Sequence, residues 1–174
     1  MKKSKKIITV SLIMTALGIS AASAHVEFNP DTVQAGKHLV LNINLPHDCT
    51  DATMTKEIKL LIPSNVNTMK LMPLAVKQHG KVLSGWSEKV VTISGKNYLD
   101  VKGPATKFGP DSGPNGGSIG FMMTTPNTPG KQLKLPAVQL CTNNQKVNWV
   151  QPRPADGSDP AESATPVPVI NLTK

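Results

Sequence analysis

Aromatic side chains make up only 3% of this 174-residue sequence. Proteins that lie along sugar chains or stack on nucleic-acid bases do so through aromatic faces, so this shortage argues against both. No Lys/Arg-rich block remains after the first six residues, which removes the other requirement for nucleic-acid binding. Cysteine is also scarce. Cys49 and Cys141 are the two present, and their separation is unlike the close spacing of zinc or redox motifs. Sustained helical periodicity is missing beyond residue 24. The Gly/Pro stretch "KFGPDSGPNGGS" lacks the G-K-[ST] ending of a phosphate-binding loop and runs into a strand, so it is not one.

The start of the chain has a definite pattern. "MKKSKK" carries four lysines, "IITVSLIMTALGI" is an apolar run of 13 residues, and "SAASA" places Ala22 and Ala24 in an A-x-A arrangement. These are the three regions of a secretory signal peptide. The apolar run is shorter than the roughly 20 residues a membrane-spanning helix needs. Residues 1–24 are therefore expected to be removed, with His25 as the first mature residue. The remaining 150 residues carry 15 basic and 11 acidic side chains, a net charge of +4 instead of the +8 of the whole chain. That length suits one domain with a real core. An oxidising compartment and an even cysteine count favour one Cys49–Cys141 disulfide over a pair of thiolate metal ligands. Closing a loop of about 93 residues would contribute about 4–5 kcal/mol in the chain-entropy model.

Strand periodicity dominates the rest. In "KHLVLNINLP", Leu39, Leu41, Ile43 and Leu45 alternate with Val40, Asn42 and Asn44, giving one buried and one mostly wet face. "KEIKLLIP", "SIGFMMTT", "KLPAVQLC" and "KVNWVQP" read as further strands. "HVEF", "MKLMPLAV", "EKVVTISG", "NYLDV" and "VPVINL" are weaker ones. Turn signals such as "QAGK", "PHDC" and "TNNQ" separate them. The pattern predicts an all-β, antiparallel β-sandwich over residues 25–151. Residues 152–174 are expected to form a Pro-rich, extended or mobile connection and a C-terminal edge strand.

A histidine exposed at a new N-terminus is a chelate. Its α-amine and its own Nδ1 can hold one metal in a six-membered ring, and nitrogen donors in a flattened set suit Cu(II). The amine's ordinary pKa near 8 makes its deprotonation inexpensive at neutral pH. His38, His47 and His79 have no diagnostic spacing and read as solvated side chains. Glu27 shares a face with His25 if the segment is extended. Glu88, in "GWSEKV", could approach across the sandwich. The mature chain keeps Met54, Met69, Met72, Met122 and Met123. Thioethers suit Cu(I), but packing is the better account of most of them.

The order of these segments resembles a known family. The segment "HVEFNPDTVQAGKHLVLNINLPHDCTDATMTKEIKLLIPSNV", then Gly85-Trp86, then "LPAVQLCTNNQKVNW" are similar to the YcnI-like domain, a secreted bacterial copper-binding module. The resemblance covers most of the chain from His25 to Trp149, with a poorer fit between Lys89 and Ser118. It implies a cupredoxin-like sandwich and a single-histidine copper site: His25 supplying amine and Nδ1, Glu88 as the completing carboxylate, and Trp149 beside the metal. It also implies a disulfide between the "DC" and "QLC" segments. The function so implied is a periplasmic or secreted, non-enzymatic copper chaperone or buffer holding Cu(II), with Cu(I) as a second state. It would pass the ion to a membrane copper transporter or another periplasmic copper protein. The alternatives are a copper oxidative enzyme resembling lytic polysaccharide monooxygenases, and a metal-free secreted interaction domain.

Overall fold

The alternation in "HLVLNINL" produces the strand it suggests. Strand β3 (His38–Leu45) buries Leu41, Ile43 and Leu45 and turns Val40 outward. The same logic forms β9 (Gly117–Thr124), where Ile119, Phe121 and Met123 face inward. The two pair antiparallel, Leu41 opposite Phe121 and Ile43 opposite Ile119, so their buried residues share one face. Each fully buried large apolar side chain contributes about 1.5–3 kcal/mol through removal from water. The computed structural model describes residues 25–68, 71–108, 116–155, 158, 161 and 164–174. The expected signal peptide, Met69 and parts of both Gly/Pro-rich stretches lie outside those residues.

Two five-stranded sheets face each other. One runs β1 (Glu27–Asn29), β3, β9, β5 (Met72–Gln78), β6 (Lys81–Val82). The other runs β12 (Lys146–Trp149), β11 (Ala137–Cys141), β4 (Thr55–Ile62), β8 (Lys96–Thr106), β7 (Ser87–Ile93). Ile58, Leu60, Leu99, Val101 and Ala137 from the second sheet meet the inward residues of the first in one core. The expected antiparallel β-sandwich is thus present. At the tip between β11 and β12, Asn143 and Asn144 take left-handed backbone conformations (φ 56° and 55°), which Asn tolerates better than most residues.

Three details differ from the sequence reading. "KLPAVQLC" is not one strand: Leu135-Pro136 separates β10 (Gln132–Lys134) from β11. "NYLDV" belongs to an 11-residue strand, β8, that continues through Gly103-Pro104. Pro104 is accommodated because the β4–β8 register shifts there, with Thr55 opposite Thr106 and Glu57 opposite Lys102. The C-terminal segment, expected at a sheet edge, is β13 (Val169–Thr173), the middle strand of a small third sheet. It pairs antiparallel with β10 and parallel with β2 (Thr32–Gln34). Ile170 and Leu172 join the common core, so β13 packs with the rest of the sandwich.

Candidate metal centre

A chain of buried polar groups runs beneath the end of the sandwich where β11 and β12 meet the turn after β3. The indole Nε1–H of Trp149 donates to Gln139 Oε1 at 3.2 Å. Gln139 Nε2 donates to the His47 carbonyl at 2.8 Å and to Thr55 Oγ1 at 2.7 Å. The Thr55 hydroxyl and backbone N–H both donate to Asp48 Oδ1, at 2.7 and 2.8 Å. Lys107 Nζ lies 3.4 Å from Asp48 Oδ2. Thr55, Gln139 and Asp48 are all buried, and satisfaction of this kind is what makes burying them tolerable. The Cys49–Cys141 disulfide, with Cα atoms 6.1 Å apart, fastens the same turn to β11.

His47 sits on this platform. Its ring centroid is 5.6 Å from that of Trp149, the planes inclined by 49°. Its Nδ1 is hydrogen-bonded to the Asp48 carbonyl. A carbonyl only accepts, so Nδ1 carries the proton, and in the neutral ring Nε2 carries the lone pair. Reading the sequence alone placed His47 among the solvated histidines. The signal available was its position two residues before Cys49, whose partner lies two residues beyond Gln139.

His25 is buried at 7% exposure, and its Nε2 is 3.0 Å from the Ala161 carbonyl. By the same argument Nε2 is the protonated nitrogen, and Nδ1 bears the lone pair. Ala161 belongs to the connection after β12, whose described residues from Ala161 onward are hydrogen-bonded. Ala164 N–H donates to Ala161 O at 2.8 Å, and Val150 and Gln151 N–H both donate to Thr165 O at 3.0 Å. The carbonyl that holds the His25 ring is therefore linked, through Ala164 and Thr165, to the residue following Trp149. His25 and Trp149 come to one corner of the fold.

Glu88 is at the other side. On β7, it lies opposite the buried Val101 of β8 and so faces inward. However, β7 packs against β5, and β5 is separated from β1 by β3 and β9. Three inter-strand spacings amount to roughly 14 Å. The structure does not bring His25 and Glu88 together. Burial raises the Glu88 carboxyl to about 7, with the Leu74 backbone partly opposing the shift. Glu27 is 3.6 Å from Arg153 in an ion pair. His38 Nδ1 lies 3.1 Å from Thr124 Oγ1 on the exposed face, and His79 occupies the β5–β6 turn at φ 49°. Met123 is core, as expected. Met54 and Met72 are about half exposed, so packing does not account for them.

No group of three or more His, Cys, Asp or Glu side chains able to hold a metal occurs among the described residues. A chelate needs no such group, because one residue supplies two donors, and the tautomer of His25 fits it: Nδ1 is the nitrogen that closes a ring with the residue's own amine. Trp149 is 1% exposed and touches the His47 ring.

No protein-family model matches the chain, and no curated protein matches it. Among solved structures it is similar to an uncharacterized protein from Nocardia farcinica described as having an immunoglobulin-like fold. The identity is 20%, the TM-score 0.60, and the overlap covers 87% of this chain and 100% of that one. That likeness supports the sandwich architecture; the family resemblance had implied a cupredoxin-like one. The major pilin SpaA of Corynebacterium diphtheriae is also similar, at 14% identity and TM-score 0.42 over 79% of this chain and 33% of that one. The Actinomyces fimbrial adhesin FimA is similar at 12% identity and TM-score 0.40, over 83% and 54%. Neither of these two overlays carries further argument.

Proposed function

We propose that this chain is an exported copper-binding protein, a chaperone or buffer and not an enzyme, that holds Cu(II) through a mature N-terminal His25. The observation that carries the reading is the hydrogen bond from His25 Nε2 to the Ala161 carbonyl. It fixes the tautomer in which Nδ1 can chelate together with the α-amine exposed by cleavage after Ala24, and a second residue that orients the ring raises the ligand's affinity. The Cys49–Cys141 bridge supports residence in an oxidising compartment. Copper is cargo here. A site with few protein ligands leaves positions through which a membrane transporter or another periplasmic protein could take the ion by exchange. The non-enzymatic reading is supported by the aromatics: Trp149 is in the core and Trp86 packs against it, so neither forms a flat face for a sugar chain.

The test is N-terminal sequencing of the exported protein, followed by Cu(II) titration with EPR on the cut chain and on a chain with one extra residue before His25. The extra residue should change the spectrum and weaken binding by at least about 100-fold through loss of the chelate. Identical spectra and affinities would overturn the proposal. Peroxide-driven oxidation of a polysaccharide would overturn the non-enzymatic part.

A further inference from the structure

His47 is placed and oriented more firmly than a solvated surface histidine. We infer that His47 supplies a second imidazole to the copper ion held by His25. The inference rests on the reading of His25 given above and deepens it.

Placement comes first. Strands β1 and β3 pair antiparallel with Glu27 opposite Asn44 and Phe28 opposite Ile43. Continued by two residues, that register sets position 25 against position 46, next to His47. A second route leads to the same corner. Ala161, which accepts the His25 hydrogen bond, is linked through Ala164 and Thr165 to Val150, the neighbour of Trp149, and Trp149 carries the His47 ring.

The chemistry is complementary. The Asp48 carbonyl holds His47 in the tautomer with its lone pair on Nε2, and the Ala161 carbonyl holds His25 in the tautomer with its lone pair on Nδ1. An amine, one Nδ1 and one Nε2 form a three-nitrogen set of the kind a tetragonal Cu(II) ion favours. His47 is also rigidly supported. Its carbonyl accepts from Gln139, its ring rests on a core tryptophan, and the disulfide holds the chain two residues further on. A donor fixed in this way loses little conformational freedom on binding. The sandwich therefore provides nitrogen where Glu88 cannot reach.

The experiment is pulsed EPR and Cu(II) titration on protein cut before His25, comparing the natural chain with His47→Phe, His47→Ala and His25→Ala. Phenylalanine keeps a ring against Trp149 but offers no lone pair. Thermal melting and the disulfide mass identify which variants remain folded. The natural protein should show two coupled imidazoles. His47→Phe should show one, with affinity lower by at least about tenfold. One imidazole in the natural protein would overturn the role of His47 without reference to any variant. So would an unchanged spectrum and affinity in a folded His47 variant, and both results would leave the His25 chelate standing. Cu(II) binding that is absent, or unaffected by His25→Ala, would instead remove the chelate and this inference with it.

Discussion

Trp149 and Gln139 form a hydrogen-bonded pair inside the core, indole Nε1–H to amide Oε1 at 3.2 Å, each residue 1% exposed. The pair fixes which way the Gln139 amide points, and so directs its two N–H groups at the His47 carbonyl and Thr55. Three elements depend on one side chain. Gln139→Leu should leave an indole donor, a carbonyl and a hydroxyl short of a partner, and destabilise the fold by about 2–4 kcal/mol. Trp149→Phe loses the single bond and some packing, for about 1–3 kcal/mol. Urea unfolding of the two variants checks the order; a Gln139→Leu protein as stable as the natural one would refute the network's importance.

The disulfide gives a direct prediction. Oxidised protein should have a mass about two daltons below the reduced value, and should yield no alkylated thiols without reductant. Replacing Cys49 and Cys141 together by serine should cost about 2–5 kcal/mol. The loss should be visible as a lower urea midpoint, and reductant should no longer shift that midpoint.

Gly103 is required by a neighbour. A Cβ there would collide with the Trp86 ring, and that ring donates to Thr106 Oγ1 at 3.1 Å and lies tilted against Phe108 with centroids 5.8 Å apart. Gly103→Ala should displace the indole and cost about 1–3 kcal/mol. A change in near-UV circular dichroism should accompany the loss of stability. Gly80→Ala is the comparison, since open space surrounds the added carbon there and the cost should reflect only its positive φ.

Glu88 predicts a pH effect of defined sign. Its folded-state value of about 7 lies above its ordinary 4.5, so the folded chain binds the proton more tightly than the unfolded one. Stability is then full below about pH 4.5, falls as pH rises through about 7, and levels off above it. Glu88→Gln should flatten the melting temperature across that window. Glu57 does not interfere. Although burial opposes the shift, hydrogen bonds from Lys59 and Lys102 hold it at about 2, so its contribution is lost only at lower pH. Equal pH slopes for the natural and Glu88→Gln proteins between pH 5 and 8 would disprove the assignment.

How much of this was legible beforehand differs by residue. The alternation around Leu41, Ile43 and Leu45 marked β3 and its buried face, because period-two patterning is a local property. The Cys49–Cys141 bridge followed from there being two candidates. The position of β13 was hidden, because parallel pairing with β2 depends on contacts across most of the chain. The separation of Glu88 from His25 was hidden for a related reason. Facing inward follows from its register with Val101, but the edge it occupies depends on sheet order, which the sequence does not spell out. The support beneath His47 was hidden because it comes from a neighbour, Trp149, that only the folded strands bring near.

The parallel pairing of β2 with β13 bears on biosynthesis. Thr32–Gln34 leaves the ribosome long before Val169–Thr173, and the Thr173 hydroxyl reaches the Val33 carbonyl at 3.3 Å only after that delay. Until then, among the described strands, neither β2 nor β10 has its ladder partner. A nascent chain therefore stays incompletely closed until β13 arrives. Closure of this small sheet thus comes late in synthesis, and β13 is the strand that joins β2 to β10.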